Sequence, residues 1–194
     1  YDGSPKAATV SGSVAGSVSN ILTGGAASQT NIGTYAVTAD FTPTDTVNYN
    51  SLTGASAGTF EISAATQTAT VTNSPVTYTG SPQAAAVSCS GGGAVSNIRY
   101  NGSGTTPTNA ATYAIVVDCA ANGGFSATSN VAAGNFIINK ATPTLSVSNS
   151  PATYDGTPKA ATVSGSVAGS ASSILTGGAA SQTNAGTYAD TANF

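Results

Sequence analysis

Two cysteines, seven acids, three lysines, one arginine and no histidine are the residues from which this chain of 194 can assemble chemistry. Without histidine, neither a Ser-His-Asp nor a Cys-His nucleophile can be built. Two cysteines also fall short of the four ligands of a structural zinc site. Paired carboxylates are the remaining catalytic option, but Asp2, Asp155, Asp40 and Asp45 fall in expected turns and loops, where solvated acids are ordinary. Calcium at Asp40 and Asp45 would need roughly six to eight oxygens, more than such sparse acids supply. Gly91-Gly92-Gly93 and Gly123-Gly124 neither open a helix nor precede a lysine at phosphate-loop spacing, and they read as loop tips. The expectation is a chain that is not an enzyme and has no cofactor and no metal.

Composition narrows the classes further. Charged residues make up 6% of the chain, against roughly 25% in an average protein. A net charge of -3 with no basic cluster argues against nucleic acid, which requires several Lys or Arg contacts to phosphate. The 40% apolar content alternates along the chain, which argues against disorder. No apolar run approaches the roughly 18 residues of a membrane helix. Tyr1 and Phe194 both lie inside repeating units, so the ends read as cuts through a longer protein, with any targeting or anchoring segment outside this window.

The elements that must position these residues recur. Tyr1-Asp-Gly-Ser-Pro-Lys6 returns as Tyr78-Thr-Gly-Ser-Pro-Gln83 and Tyr154-Asp-Gly-Thr-Pro-Lys159, at spacings of 77 and 76 residues. Repeats of this length are small domains with limited cores, helped by neighbours or a disulfide. The expected domains are 1–65, lacking its first strand, 66–140, complete, and 141–194, lacking its last strand. The first and third agree at 35 of 41 aligned positions while the middle one diverges, which implies duplication of a two-domain block of 153 residues.

Within the middle unit, Ala69 to Thr72 alternates and is closed by Asn73-Ser-Pro75, the pattern of a half-buried strand ended by a turn. Gly80 can take positive φ and Pro82 fixes its own φ, so the Tyr-x-Gly-x-Pro motif reads as a turn between strands. A second strand is expected over Ala84–Ser90 with Ala85, Val87 and Cys89 inward, matched by Ala8, Val10, Gly12 and by Ala161, Val163, Gly165. Ile98 and Tyr100 mark a central strand. Tyr113, Ile115, Val117 and Cys119 line a late one, matched by Tyr35, Val37, Ala39 and Phe41. Phe60 and Ile62, or Phe136 and Ile138, face inward from a closing strand that runs into the next unit without a flexible linker. No helical period appears among the Gly, Ser, Thr and β-branched residues.

Cys89 and Cys119 thus occupy inward positions where the first unit has Gly12 with Phe41 and the third has Gly165 with Phe194. A disulfide between two sheets fits, with one core position solved in two ways. Two buried free thiols acting as small hydrophobes are the alternative. A bridge implies an oxidising, extracytoplasmic setting. Asp190 stands where Val37 and Ile115 face inward, which is costly for a carboxylate without a partner.

Asn31-Ile-Gly-Thr-Tyr35, Asn109-Ala-Ala-Thr-Tyr113 and Asn184-Ala-Gly-Thr-Tyr188 share a pattern that resembles the tyrosine corner of immunoglobulin-like sandwiches. There a Tyr hydroxyl opening a late strand returns to upstream backbone. Together with the Tyr-Asp-Gly-Thr-Pro-Lys-Ala motif and the exit Phe136-Ile-Ile-Asn-Lys-Ala-Thr-Pro143, the chain resembles the bacterial MBG domains, also called YDG-type repeats, over essentially its whole length. The resemblance implies an all-β protein of tandem immunoglobulin-like β-sandwich domains arranged head to tail as a rod. It also implies a place in a large secreted or surface-attached adhesin-like protein. Thr79 and Gln83 depart from the Asp and Lys of the flanking motifs, which speaks against a shared Asp–Lys site, and Ala64 stands where Lys140 leaves the middle unit. Lys140 with a neighbouring Asn is the one candidate for the isopeptide bonds of some bacterial surface sandwiches.

The functional expectation is a structural stalk or fibre repeat giving length and rigidity, with neighbouring repeats as its partners. Two alternatives stand beside it. One is a glycan- or ligand-binding adhesive module using Tyr100 or Phe125. The other is a subunit that exchanges strands with other copies of itself at its open sheet edges to build a filament.

Overall fold

The computed structural model describes Tyr1–Phe194 and contains strands, turns and loops but no helix. No helix long and apolar enough to cross a membrane is present. The first two repeats form one compact unit, Tyr1–Asn139, and the third forms another, Lys140–Phe194.

In the first repeat, β1 (Gly16–Thr23), β2 (Gly33–Pro43) and β3 (Leu52–Ile62) make an antiparallel sheet in that order. Alternation buries Val37, Ala39 and Ile62 and turns the intervening residues outward. In the middle repeat, β4 (Ala69–Val71) pairs with β6 (Val87–Cys89), after a short β5 (Val76–Thr77). A four-stranded sheet has the order β5-β9-β8-β7, with β7 (Val95–Tyr100), β8 (Ala111–Cys119) and β9 (Thr128–Asn139). The core draws Ala85 and Cys89 from one side and Ile115, Val117, Cys119, Phe136 and Ile138 from the other, with Tyr100 among them. The third repeat pairs β10 (Leu145–Val147) with β11 (Val163–Gly165), and β12 (Ser172–Thr176) with β13 (Asp190–Asn193).

The second strand is shorter than the expected Ala84–Ser90, and the reason is chemical. The Asn73 side chain donates to Ala84 O and accepts from Ala86 N, standing in for strand backbone where β4 has ended. Asn149 does the same for Ala160 and Thr162. The parallel pairing of β5 with Ile138 and Asn139 places the turn motif against the exit strand.

Candidate functional site

Cys89 and Cys119 form a disulfide with Cα atoms 6.0 Å apart, joining β6 to β8 across the core. Both are buried. At the equivalent place in the first repeat, the Phe41 ring lies over Gly12 and Gly16, so that a Cβ on either glycine would collide with it. Phe194 lies in the same way over Gly165 and Gly169 in the third repeat. The ring fills from one strand the volume that two sulfurs span from both, and the absent glycine side chain leaves room for it.

A second exchange accompanies the first. In the middle repeat the buried Tyr100 hydroxyl accepts the Ala85 amide at 3.0 Å. In the flanking repeats Thr23 and Thr176 accept from Ala8 and Ala161 at 3.2 and 3.3 Å. Tyr100 also packs edge-on against Phe136 and Tyr113. At 5% exposure it is a core residue, which removes it as the exposed sugar platform considered from sequence.

The Tyr-x-Gly-x-Pro turn is built as expected, with Gly3, Gly80 and Gly156 at φ of 76°, 82° and 77°. Asp2 accepts from the Ser4 amide and hydroxyl and pairs with Lys6 at 2.6 Å. Asp155 does the same with Thr157 and with Lys159 at 2.5 Å. These hydrogen bonds, the lysine's first, hold both carboxyls far below the usual carboxylate range. In the middle repeat Thr79 accepts from the Ser81 amide, and Gln83 donates to Thr77 O. The turn therefore needs an oxygen two residues before the following amide, and a charge is optional.

Asp40 is not in a loop. It lies within β2, where it accepts from the Asn20 amide at 2.6 Å and from Gly54 N at 2.7 Å. Asp118 accepts from Asn97 and Asn130 N in the same manner. Asn20 and Asn97 have φ of 47° and 51° at register shifts of β1 and β7, so each acid clips a bulge to its neighbouring strands. The Asn20 side chain and the Gly54 amide lower the pKa of Asp40. The Asn130 amide leads in lowering that of Asp118. Asp45 accepts from Val47 N and from the backbone and side chain of Asn48, which closes its loop. Sequence reasoning missed this clip, although Asn20 with Asp40 recurs as Asn97 with Asp118.

The hydroxyls of Tyr35, Tyr113 and Tyr188 donate to the carbonyls of Asn31, Asn109 and Asn184 at 2.9, 2.9 and 3.0 Å. Each ties the entry of a late strand to the loop before it. Lys140 is exposed. Asp190 lies in β13 with a buried Oδ1 that has no hydrogen-bond partner, beside an open groove lined by Val147, Tyr154 and Tyr188.

No curated protein and no solved structure matches the chain. The family model described as MBG domain matches three times in succession, over residues 1–66, 67–142 and 143–193. Three adjacent matches that take in almost every residue follow the repeating turn, corner and core pair, and the chain belongs to the MBG domain family.

Proposed function

We propose that this chain is a stretch of structural stalk in an extracellular bacterial surface protein, its repeats immunoglobulin-like sandwiches set head to tail for length and stiffness. The observation that carries this reading is the core position occupied by Cys89–Cys119 in one repeat and by glycine with phenylalanine in the others. What is preserved from repeat to repeat is packing geometry and turn hydrogen bonding. The charged side chains differ at the turn, and a shared active site would need them alike. The disulfide supports an oxidising, extracytoplasmic location. Near-copies at a 153-residue period suit a length-setting array, in which each unit contacts its neighbours.

The test is a binding screen of the 194-residue chain against glycan arrays and cell surfaces, with inert behaviour expected; saturable binding would overturn the stalk reading. A second reading, an adhesive module, draws on one loop of the first repeat, where Val47 is 91% exposed and Tyr49 50% exposed. Under that reading binding would be saturable and lost in Val47→Ser with Tyr49→Ala.

A further inference from the structure

The first and middle repeats meet through an aromatic contact that neither core requires. Tyr1, in the turn of the first repeat, packs edge-on against Phe125 at the tip of the β8–β9 loop, with ring centroids 5.9 Å apart and planes at 80°. Both rings rest on glycines. A Cβ at Gly124 would collide with the Tyr1 ring, and one at Gly91 would press into the Phe125 ring. Gly124 is buried, and Asn122 donates to Gly91 O at 2.8 Å, which holds the loop tip against the β6–β7 turn.

The connecting segment joins the same loop. Ala65 N donates to Gly124 O and Ser126 N donates to Ala65 O, both at 2.9 Å. Gln67 is 2% exposed and donates to Ala120 O, so the chain leaving the first repeat is already stitched to the middle one. Tyr1 is fastened to the same stretch, its amine donating to Ser63 O at 2.9 Å just after β3 ends, while its ring reaches across to Phe125 of the middle repeat.

We propose that the loop tip Asn122–Ser126 is a docking surface for the tyrosine of a preceding Tyr-x-Gly-x-Pro turn, and that this Tyr–Phe lock sets the angle between the two repeats. The motif tyrosine then has a role the turn alone does not explain. The turn needs glycine, proline and a side-chain oxygen, whereas the tyrosine is the part that faces the neighbouring repeat. The inference rests on the stalk reading for its purpose, yet it concerns orientation rather than binding, so the two fail in different experiments.

The test uses the whole 194-residue chain, isotope-labelled and weakly aligned, with residual dipolar couplings measured in β1–β3 and in β4–β9. One alignment tensor is expected to fit both repeats in the native chain, and two unequal tensors in Tyr1→Ala and in Gly124→Ala. Gly124 does not have positive φ, so alanine fits its backbone and acts through the collision with the tyrosine ring. In the Tyr1→Ala background, Gly124→Ala is expected to add nothing. A common tensor retained in Tyr1→Ala would overturn the lock. Because Tyr1→Ala removes an intermediate-exposure side chain outside the core, that variant decides the question even if Gly124→Ala fails to fold.

Discussion

The middle repeat and the first repeat place the same backbone positions inward and fill them with different chemistry. In the middle repeat, Cys89 and Cys119 are bonded and 7% and 2% exposed, and Tyr100 reaches the Ala85 amide through a long side chain. In the first, Phe41 covers Gly12 while Thr23 reaches Ala8 from close by. A large ring comes from β2 in one case and from β7 in the other, and the partners shrink or cross-link to suit. The repeat is therefore specified by volume and by satisfied amides at fixed positions rather than by particular residues. It also separates two kinds of stability, one from packing and one from a constraint on the unfolded chain.

Removing the cross-link is expected to separate the two repeats most. Cys89→Ala with Cys119→Ala opens a loop spanning 30 residues, which is expected to cost about 3 kcal/mol through restored unfolded-state entropy. Residue-resolved hydrogen exchange should show the loss at Ile115, Val117 and Phe136, with Val37 and Ala39 in the first repeat losing much less. Equal losses in both would mean that the repeats unfold together and that the two core solutions are not independent.

A smaller effect tests the packing solution. Gly12→Ala places a methyl group where the Phe41 ring lies, and overpacking of that kind typically costs about 1–3 kcal/mol. Urea denaturation should show the loss, and Phe41→Leu in the same chain should recover part of it by withdrawing the ring. Gly12→Cys with Phe41→Cys is expected to oxidise to a second bridge, seen as a two-hydrogen mass loss on intact protein. Failure to oxidise would show that the first repeat holds these strands at a spacing the bridge cannot span.

Much of this was legible because strand alternation has a strict period of two. Cys89 and Cys119 fall on inward positions by counting alone, and Gly12 and Phe41, which align with them, have complementary volumes. The positive φ at Gly80 followed from the motif for a similar reason, since few residues adopt that conformation. The β5–β9 pairing was not legible, because two residues carry no period and their partners lie more than sixty positions away. The place of Asp40 was legible only in part, since alternation from Tyr35 to Phe41 takes it into a strand while its charge reads as that of a loop acid. It stays there because the Asn20 side chain and the Gly54 amide pair with its carboxylate. The third repeat exchanges both ends of that clip, with Ser173 at the Asn20 position and Asn193 at the Asp40 position. Ser173 nonetheless keeps a φ of 53°, so the bulge geometry outlasts the particular pair that fastens it.

The smallest effect compares the turns and depends on pH. The carboxyls of Asp2 and Asp155 have folded pKa values depressed below the unfolded one by their lysines and by Ser4 or Thr157. A depressed carboxylate contributes stability that is fully present above the unfolded pKa and is lost as pH falls through the folded one. The middle turn has Thr79 and Gln83 at these places and no titrating group. Acidification from pH 6 to below about pH 2, near and beneath ordinary carboxylate values, should therefore move the amide resonances of Ser4 and Thr157 while Ser81 stays in place. Because both acids are exposed to solvent, salt should weaken the lysine part of the effect and leave the amide hydrogen bonds. Asp2→Asn keeps an oxygen for the Ser4 amide and removes the charge, so it should make the first turn as indifferent to acid as the middle one. If Ser4 still titrates in Asp2→Asn, its amide is reporting another group, and the turns differ for a reason other than the Asp–Lys pair.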